Sequence, residues 1–234
     1  YFLILFKNNF FITLIKIIIY RIIKIIMSNV LKVVLLGEAG TGKTCLISRF
    51  TGGLFNADTM SSLSAQFITK TIQINDKPLK FDIWDTAGQE KYRSLAKIFY
   101  KDAKVICLCY DITSKKSFEE LKDYWYEQQT KLNADGNPIF AVVGNKIDLF
   151  DNQQVKDEEG KEFAKKINAI FQETSAKTSV GVNELFEKIA MKYIDPNYDS
   201  NQIESQEKME YEQKKMDKIS NDISEKQKIV ELLS

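Results

Sequence analysis

Apolar positions along the chain follow two rhythms. Ile68, Ile72 and Ile74 alternate with polar residues, as do Leu79, Phe81 and Ile83, and the polar string Asn75-Asp76-Lys77-Pro78 between them has turn chemistry. This predicts a β-hairpin. Three other runs, Leu31–Leu36, Val105–Tyr110 and Ile139–Val143, are almost wholly apolar and of strand length, as expected for strands covered on both faces. Elsewhere the spacing is helical. It covers Cys45 to Phe50, then Phe118, Leu121, Trp125 and Leu132, then Phe163, Lys166 and Ile167. The last helical run holds Val182, Leu185, Phe186, Ile189 and Tyr193, with Pro196 to stop it. Thr51 to Leu63 is polar and aperiodic, hence a loop. Strands alternating with helices predict an α/β domain around a mostly parallel sheet. Ligands of such sheets bind beyond the carboxyl ends of the strands.

Bulk properties narrow the function. The 234 residues suit one or two domains, with 44% hydrophobic and 28% charged positions. The net charge is +1, and no basic excess points to nucleic acid as a partner. Four cations (Lys7, Lys16, Arg21, Lys24) and no acids fall within the first 26 residues, so the remainder carries −3. There is no histidine, which excludes His-based triads and most zinc sites. Of the three cysteines, Cys45, Cys107 and Cys109, the last two share one face of a buried strand, and all three read as small residues in a reducing cytosol.

Both ends differ from the middle. In residues 1–26, Lys7, Lys16 and Arg21 cut every apolar run short of the roughly 18 residues that span a bilayer. No small-residue cleavage site follows. The stretch reads as an apolar extension outside the functional protein, with Met27 as the natural start; an N-terminal membrane anchor is the alternative. From Asp195 the composition turns to Glu, Lys, Gln, Asn and Ser, which suits a solvated tail over 196–234. Met209, Met216, Ile223 and Val230 nevertheless recur every seven residues, with Ile219 and Leu233 three later, a short coiled-coil seam.

Directly behind the Leu31–Leu36 run stands Gly37-Glu38-Ala39-Gly40-Thr41-Gly42-Lys43-Thr44. A glycine, four residues and then Gly-Lys-Thr form a phosphate-cradling pattern, provided that a strand precedes it and a helix follows. Gly37, Gly40 and Gly42 let backbone N–H groups converge on one anion. The helix starting near Lys43 adds its positive dipole end. Lys43 can reach terminal phosphates, and the Thr44 hydroxyl is placed for magnesium.

Three more motifs end strands or follow them. Asp85-Thr86-Ala87-Gly88-Gln89-Glu90 closes the Leu79–Trp84 strand. Asp85 can hold the metal's water shell, Gly88 allows backbone approach to a terminal phosphate, and Gln89 can orient an attacking water. Gly144-Asn145-Lys146-Ile147-Asp148 closes the Ile139–Val143 strand, and Asp148 can accept both the N1–H and the exocyclic amine of guanine, a pair that adenine lacks. Phe171-Gln172-Glu173-Thr174-Ser175-Ala176-Lys177 offers the Ala176 N–H for the guanine carbonyl. A strand-end Asn-Lys-x-Asp can also be a plain solvated turn. The phosphate loop alone would also suit an ATP-using enzyme. Four motifs in this order and at these intervals favour guanine.

Residues from about Leu31 to Ile194 resemble a Ras-superfamily small GTPase, and within it a Rab. The resemblance rests on the Trp84–Glu90 string, Tyr92-Arg93-Ser94-Leu95 and Phe99-Tyr100-Lys101-Asp102-Ala103. Leu63-Ser64-Ala65-Gln66-Phe67-Ile68-Thr69, with Gly37-Glu38, is most similar to the early-endosomal branch. The resemblance implies a domain over 30–195 with a six-stranded, mostly parallel sheet flanked by five helices. It also implies GTP/GDP and Mg²⁺ binding, with slow hydrolysis of GTP to GDP in a switch for vesicle traffic. Nucleotide contacts would come from Gly37, Ala39, Gly40, Thr41, Gly42, Lys43, Thr44, Cys45, Gly88, Asn145, Lys146, Asp148, Ser175, Ala176 and Lys177. Thr44, Ser62 and Asp85 would serve the metal, and Gln89 with Lys43 the chemistry. The switch segments would span about 55–67 and 85–98. Effectors would read Phe67, Trp84 and Phe99, although Trp84 is as well explained as a core aromatic. An exchange factor, a GTPase-activating protein and the cytosolic face of endomembranes complete the implied setting.

Three positions depart from the family pattern. Ser62 stands where threonine is usual, keeping the ligating oxygen without the methyl. Ala39 places a methyl where a partner's arginine finger would enter, and such a finger is worth about 10³–10⁵ in rate. Low hydrolysis follows as an expectation, with a constitutively GTP-bound interaction module as the alternative function. No cysteine follows Cys109, so the C-terminal prenylation motif of Rabs is missing from the sequence.

Overall fold

A computed structural model of the chain describes residues 30–53, 66–86, 102–132 and 137–199. The chain divides into two units, Tyr1–Ile194 and Asp195–Ser234. Of the second, residues 195–199 form a turn in which the Asn197 N–H donates to Asp195 Oδ1 and the Tyr198 N–H to the Asp195 carbonyl. The heptads of the tail and the first 26 residues lie outside the described residues.

Six strands form one sheet in the first unit: β1 Val30–Leu36, β2 Gln66–Ile74, β3 Lys77–Asp85, β4 Val105–Asp111, β5 Ile139–Asn145 and β6 Ile170–Thr174, in spatial order β2-β3-β1-β4-β5-β6. Only the β2–β3 pair is antiparallel. Among the described residues five α-helical segments flank it: α1 Lys43–Phe50, α2 Lys115–Glu120, α3 Glu127–Leu132, α4 Asp157–Lys166 and α5 Val182–Ile194. A π-helical turn, Leu121–Tyr126, joins α2 to α3, and a 3-10 segment, Ile147–Asn152, follows β5. The mostly parallel α/β reading is borne out.

Strand β4 shows why the apolar runs are continuous. Val105, Cys107 and Cys109 face one core with Leu46, Ile47 and Phe50 of α1 and Leu185, Phe186 and Ile189 of α5. Ile106, Leu108 and Tyr110 face a second core with Phe118, Leu121, Trp125 and Ala164. Side chains alternate across a strand, so a sheet with helices on both faces needs apolar residues at every position. Phe50 stacks on Phe186 with ring centroids 3.5 Å apart and planes within 10°. Phe81 meets both rings edge-on.

Two expectations are corrected. The hairpin turn is two residues rather than four, because Lys77 and Pro78 pair with Ile74 and Gln73. Asn75 and Asp76 have φ of 49° and 61°, the doubly left-handed geometry whose twist matches antiparallel strands and which Asn and Asp tolerate. The helical run that begins at Phe163 in the sequence begins at Asp157 in the structure. Its first turn holds Asp157, Glu158 and Glu159, with Glu159 accepting from the Lys156 N–H at 3.2 Å. Acids there complement the helix dipole, a polar signal that an apolar count overlooks.

Candidate functional site

The phosphate-cradle sequence leaves β1 at Leu36 and enters α1 at Lys43. Gly37 (φ 145°) passes so close to β4 that a Cβ would collide with the Cys109 carbonyl. Gly42 (φ 88°) precedes the first turn of α1 without a side-chain cap, and a Cβ there would strike the Asn145 amide nitrogen. Between them Ala39 and Gly40 are exposed, whereas Thr41 is buried and its hydroxyl donates to the Glu38 carbonyl at 2.9 Å. The Lys43 ammonium is buried and donates to the carbonyls of Gly37 (2.8 Å) and Glu38 (2.9 Å). Burial pulls its pKa below the ordinary lysine value, against the opposing pull of Cys109, Asp85 and Glu38. A buried cation lies under the loop, held by carbonyls that an anion would replace.

Thr44 and Asp85 meet because β1 and β3 run side by side, with Leu35 paired to Asp85. The Thr44 hydroxyl donates to Asp85 Oδ2 at 2.6 Å. Thr86, the next residue, donates from Oγ1 to the Leu35 carbonyl at 2.7 Å and fixes the exit from β3. Cys45 is half-buried in the first turn of α1.

Asn145 is the hub of the other half. Its Nδ2 donates to the Thr41 carbonyl at 2.8 Å, and its Oδ1 accepts from the Thr174 hydroxyl at 3.1 Å and the Ala176 N–H at 3.4 Å. The stem of Lys146 passes Gly42, and its ammonium pairs with Asp111 Oδ2 at 2.6 Å. Asp148 accepts from the Ser175 hydroxyl at 2.6 Å, and the Lys177 ammonium lies 3.8 Å from its other oxygen. The phosphate loop, the 145–148 motif and the 174–177 motif thus converge beyond the carboxyl ends of β1, β5 and β6.

Two residues of this arrangement carry no signal in the sequence. Arg49, in α1, donates from Nε to the Ala176 carbonyl (2.9 Å) and from Nη2 to the Lys177 carbonyl (3.1 Å). Asp111 ends β4 and accepts from Thr113 as well as from Lys146. Neither belongs to a motif, and Arg49 lies 127 residues from its first partner. Ser62, Gly88, Gln89 and Phe99 lie outside the described residues. Phe67 is 50% exposed and rests against Trp84 with centroids 4.9 Å apart, while Trp84 is half-buried and packs on the second core.

Comparison with known proteins agrees with this geometry. The Ras family model matches residues 32–195. Rab5A of Oryza sativa subsp. japonica is 44% identical over 164 residues, covering 69% of this chain and 79% of that protein. RabJ of Dictyostelium discoideum is 44% identical over 162 residues (69% and 62%), and RABF2a of Arabidopsis thaliana 42% over 160 (68% and 78%). The chain belongs to the Ras family, as a Rab-type small GTPase.

As a Ras-family GTPase it binds GTP and GDP with Mg²⁺. The residues fit both. Thr44 and Asp85 bring one hydroxyl and one carboxylate together, the sparse oxygen set of an ion that keeps several waters. The loop is open to its surroundings at Gly40, where a Cβ would meet nothing within 4 Å. Lys43 is buried, so an anion reaching its ammonium would meet a cation already stripped of water.

Proposed function

We propose that this GTPase is a membrane-traffic switch that couples hydrolysis of GTP to the release of effector proteins. The observation that carries the reading is the Asn145 bridge: one amide joins the loop beneath the phosphates to the loop beside the base. Guanine recognition falls to the Asp148 carboxylate, which Ser175 holds in place, with Ala176 and Lys177 closing the pocket wall and Lys146 lining the side toward Gly42. The phosphates fall to Gly37, Ala39, Gly40, Thr41, Gly42, Lys43, Thr44, Cys45 and Gly88. Lys43 stabilises charge on the transferring group, and Gln89 orients the attacking water. Mg²⁺, when bound, neutralises charge on the phosphate oxygens, and Thr44, Ser62 and Asp85 are the residues that hold it.

Loss of the terminal phosphate removes contacts that keep segments 55–67 and 85–98 in one arrangement, and effectors sense the change. The exposed Phe67, set on Trp84, supports an effector surface that Phe99 completes. An exchange factor and a GTPase-activating protein drive the cycle. The similarity to proteins named Rab5A and RABF2a supports work on the cytosolic face of endosomal membranes. Among the described residues no helix is long and apolar enough to cross a bilayer.

Competition binding tests the base assignment: GTP and GDP displace a labelled guanosine nucleotide, and displacement by equimolar ATP overturns it. Single-turnover hydrolysis tests the chemistry. Wild type outpaces Gln89→Leu if Gln89 orients the water, and equal rates favour a constitutively GTP-bound module.

A further inference from the structure

Helix α1 serves both halves of the pocket. Its first turn carries Lys43 and Thr44 on the phosphate side. Its last turn carries Arg49, whose Nε donates to the Ala176 carbonyl at 2.9 Å and whose Nη2 donates to the Lys177 carbonyl at 3.1 Å. Phe50, the next residue, is buried and stacked on Phe186 of α5. The guanidinium is therefore mounted on a helix end that the core holds in place. A cation in the last turn also complements the helix dipole, and that role needs only charge. The two carbonyls ask for more. One planar group meets two successive peptides in a fixed fork, a fit that a lysine ammonium lacks.

The carbonyl side of Ala176 matters because its N–H side is weakly held. That N–H reaches Asn145 Oδ1 at 3.4 Å, near the limit for a hydrogen bond, and the same oxygen accepts from Thr174 at 3.1 Å. Such a donor has strength to spare for a base carbonyl, but its aim depends on the peptide planes that follow it. Successive planes are rigid and share a Cα, so pinning the carbonyls of 176 and 177 limits how far the Ala176 N–H can turn. The Ser175 hydroxyl and the Lys177 ammonium are directed at Asp148 instead. We propose that Arg49 is a positioning residue for guanine selectivity, clamping the Ala176 and Lys177 carbonyls so that the Ala176 N–H stays aimed at the base. The inference rests on the base site proposed above. Adenine carries an amine where guanine carries its carbonyl, so the clamp favours GDP and gives ADP nothing.

The test is competition of GDP and of ADP against a fluorescent GDP on the full chain with Mg²⁺, for wild type, Arg49→Lys and Arg49→Met. Arg49→Met, with neither charge nor donors, lowers GDP affinity roughly three- to thirtyfold, the scale of a charge-assisted bond lost in part. ADP affinity stays at the wild-type value, so the GDP-over-ADP ratio falls by the same factor. Arg49→Lys keeps the charge and recovers only part of the ratio, because one ammonium does not span both carbonyls in plane. A merely structural role would weaken both nucleotides together and leave the ratio alone. An unchanged ratio in Arg49→Met overturns the proposal. So does a full wild-type ratio in Arg49→Lys, which reduces the effect to charge, and this variant decides alone if Arg49→Met does not fold. A wild type that binds ADP as tightly as GDP refutes the base assignment itself, which is a different outcome from a ratio that the variants leave unmoved.

Discussion

The Asn145 side chain donates to the Thr41 carbonyl at 2.8 Å across 104 residues of sequence, and both groups are buried. The bond sets the height of the phosphate loop relative to the base-side loops, since the same amide also receives Thr174 and Ala176. Asn145→Ala strands three buried polar groups at once. Loss of about 1–3 kcal/mol of stability is expected in chemical denaturation. The GDP release rate should rise with it, as the two halves of the pocket lose their common support.

Asp148→Asn changes the base preference. An amide in place of the carboxylate loses one acceptor and gains a donor, so it no longer suits the paired N–H groups of guanine but suits xanthine, with a carbonyl in place of the exocyclic amine. Weaker GDP binding and stronger xanthosine diphosphate binding are expected in competition titration, with the melting curve of the free protein changed little. Unaltered preference would remove Asp148 from base recognition.

Phe186→Ala separates fold from site. The ring is fully buried, stacked on Phe50 and edge-on to Phe81, on the face of the sheet carrying α1 and α5. A loss of about 3–5 kcal/mol is expected from urea unfolding. Guanine-over-adenine selectivity should survive, because the ring packs on Phe50 and Phe81 in the core and belongs to none of the three converging motifs.

Stability should also carry a pH signature at Glu173. Burial, and then the neighbouring Asp157, raise its pKa from 4.5 to about 7, with Lys161 opposing and Glu158 adding to the shift. Asp157 moves the other way, held down chiefly by its bond from Gln153. A raised carboxyl pKa contributes stability that is complete below the unfolded value and lost as pH climbs through the folded one. The window is therefore about pH 4.5 to 7. Glu173→Gln should leave the melting temperature nearly unchanged below pH 4.5 and raise it above wild type beyond pH 7. A variant that melts with wild type at every pH would show that the carboxyl is not perturbed.

Much of this protein could be read from residue order. Val105–Tyr110 is apolar at every position because helices cover both faces, and that requirement is visible before any contact is known. The phosphate cradle is legible for a similar reason. Its parts are consecutive, and glycine at 37 and 42 answers to local backbone geometry. The short hairpin turn was less legible, since Pro78 has turn chemistry yet lies in β3, beyond the register with β1 that starts at Lys80.

Sequence by itself determined the alternation of strands and helices, the phosphate loop and the acceptor chemistry at Asp148, because periodicity and local motifs are short-range properties. Tertiary structure alone decided that Arg49 braces the Ala176 and Lys177 carbonyls, that Lys146 answers Asp111, and that Trp125 takes hold of Glu38. Those pairs are joined through the order of strands in the sheet. Which strand ends become neighbours is settled by how the two cores pack, and no spacing along the chain encodes it.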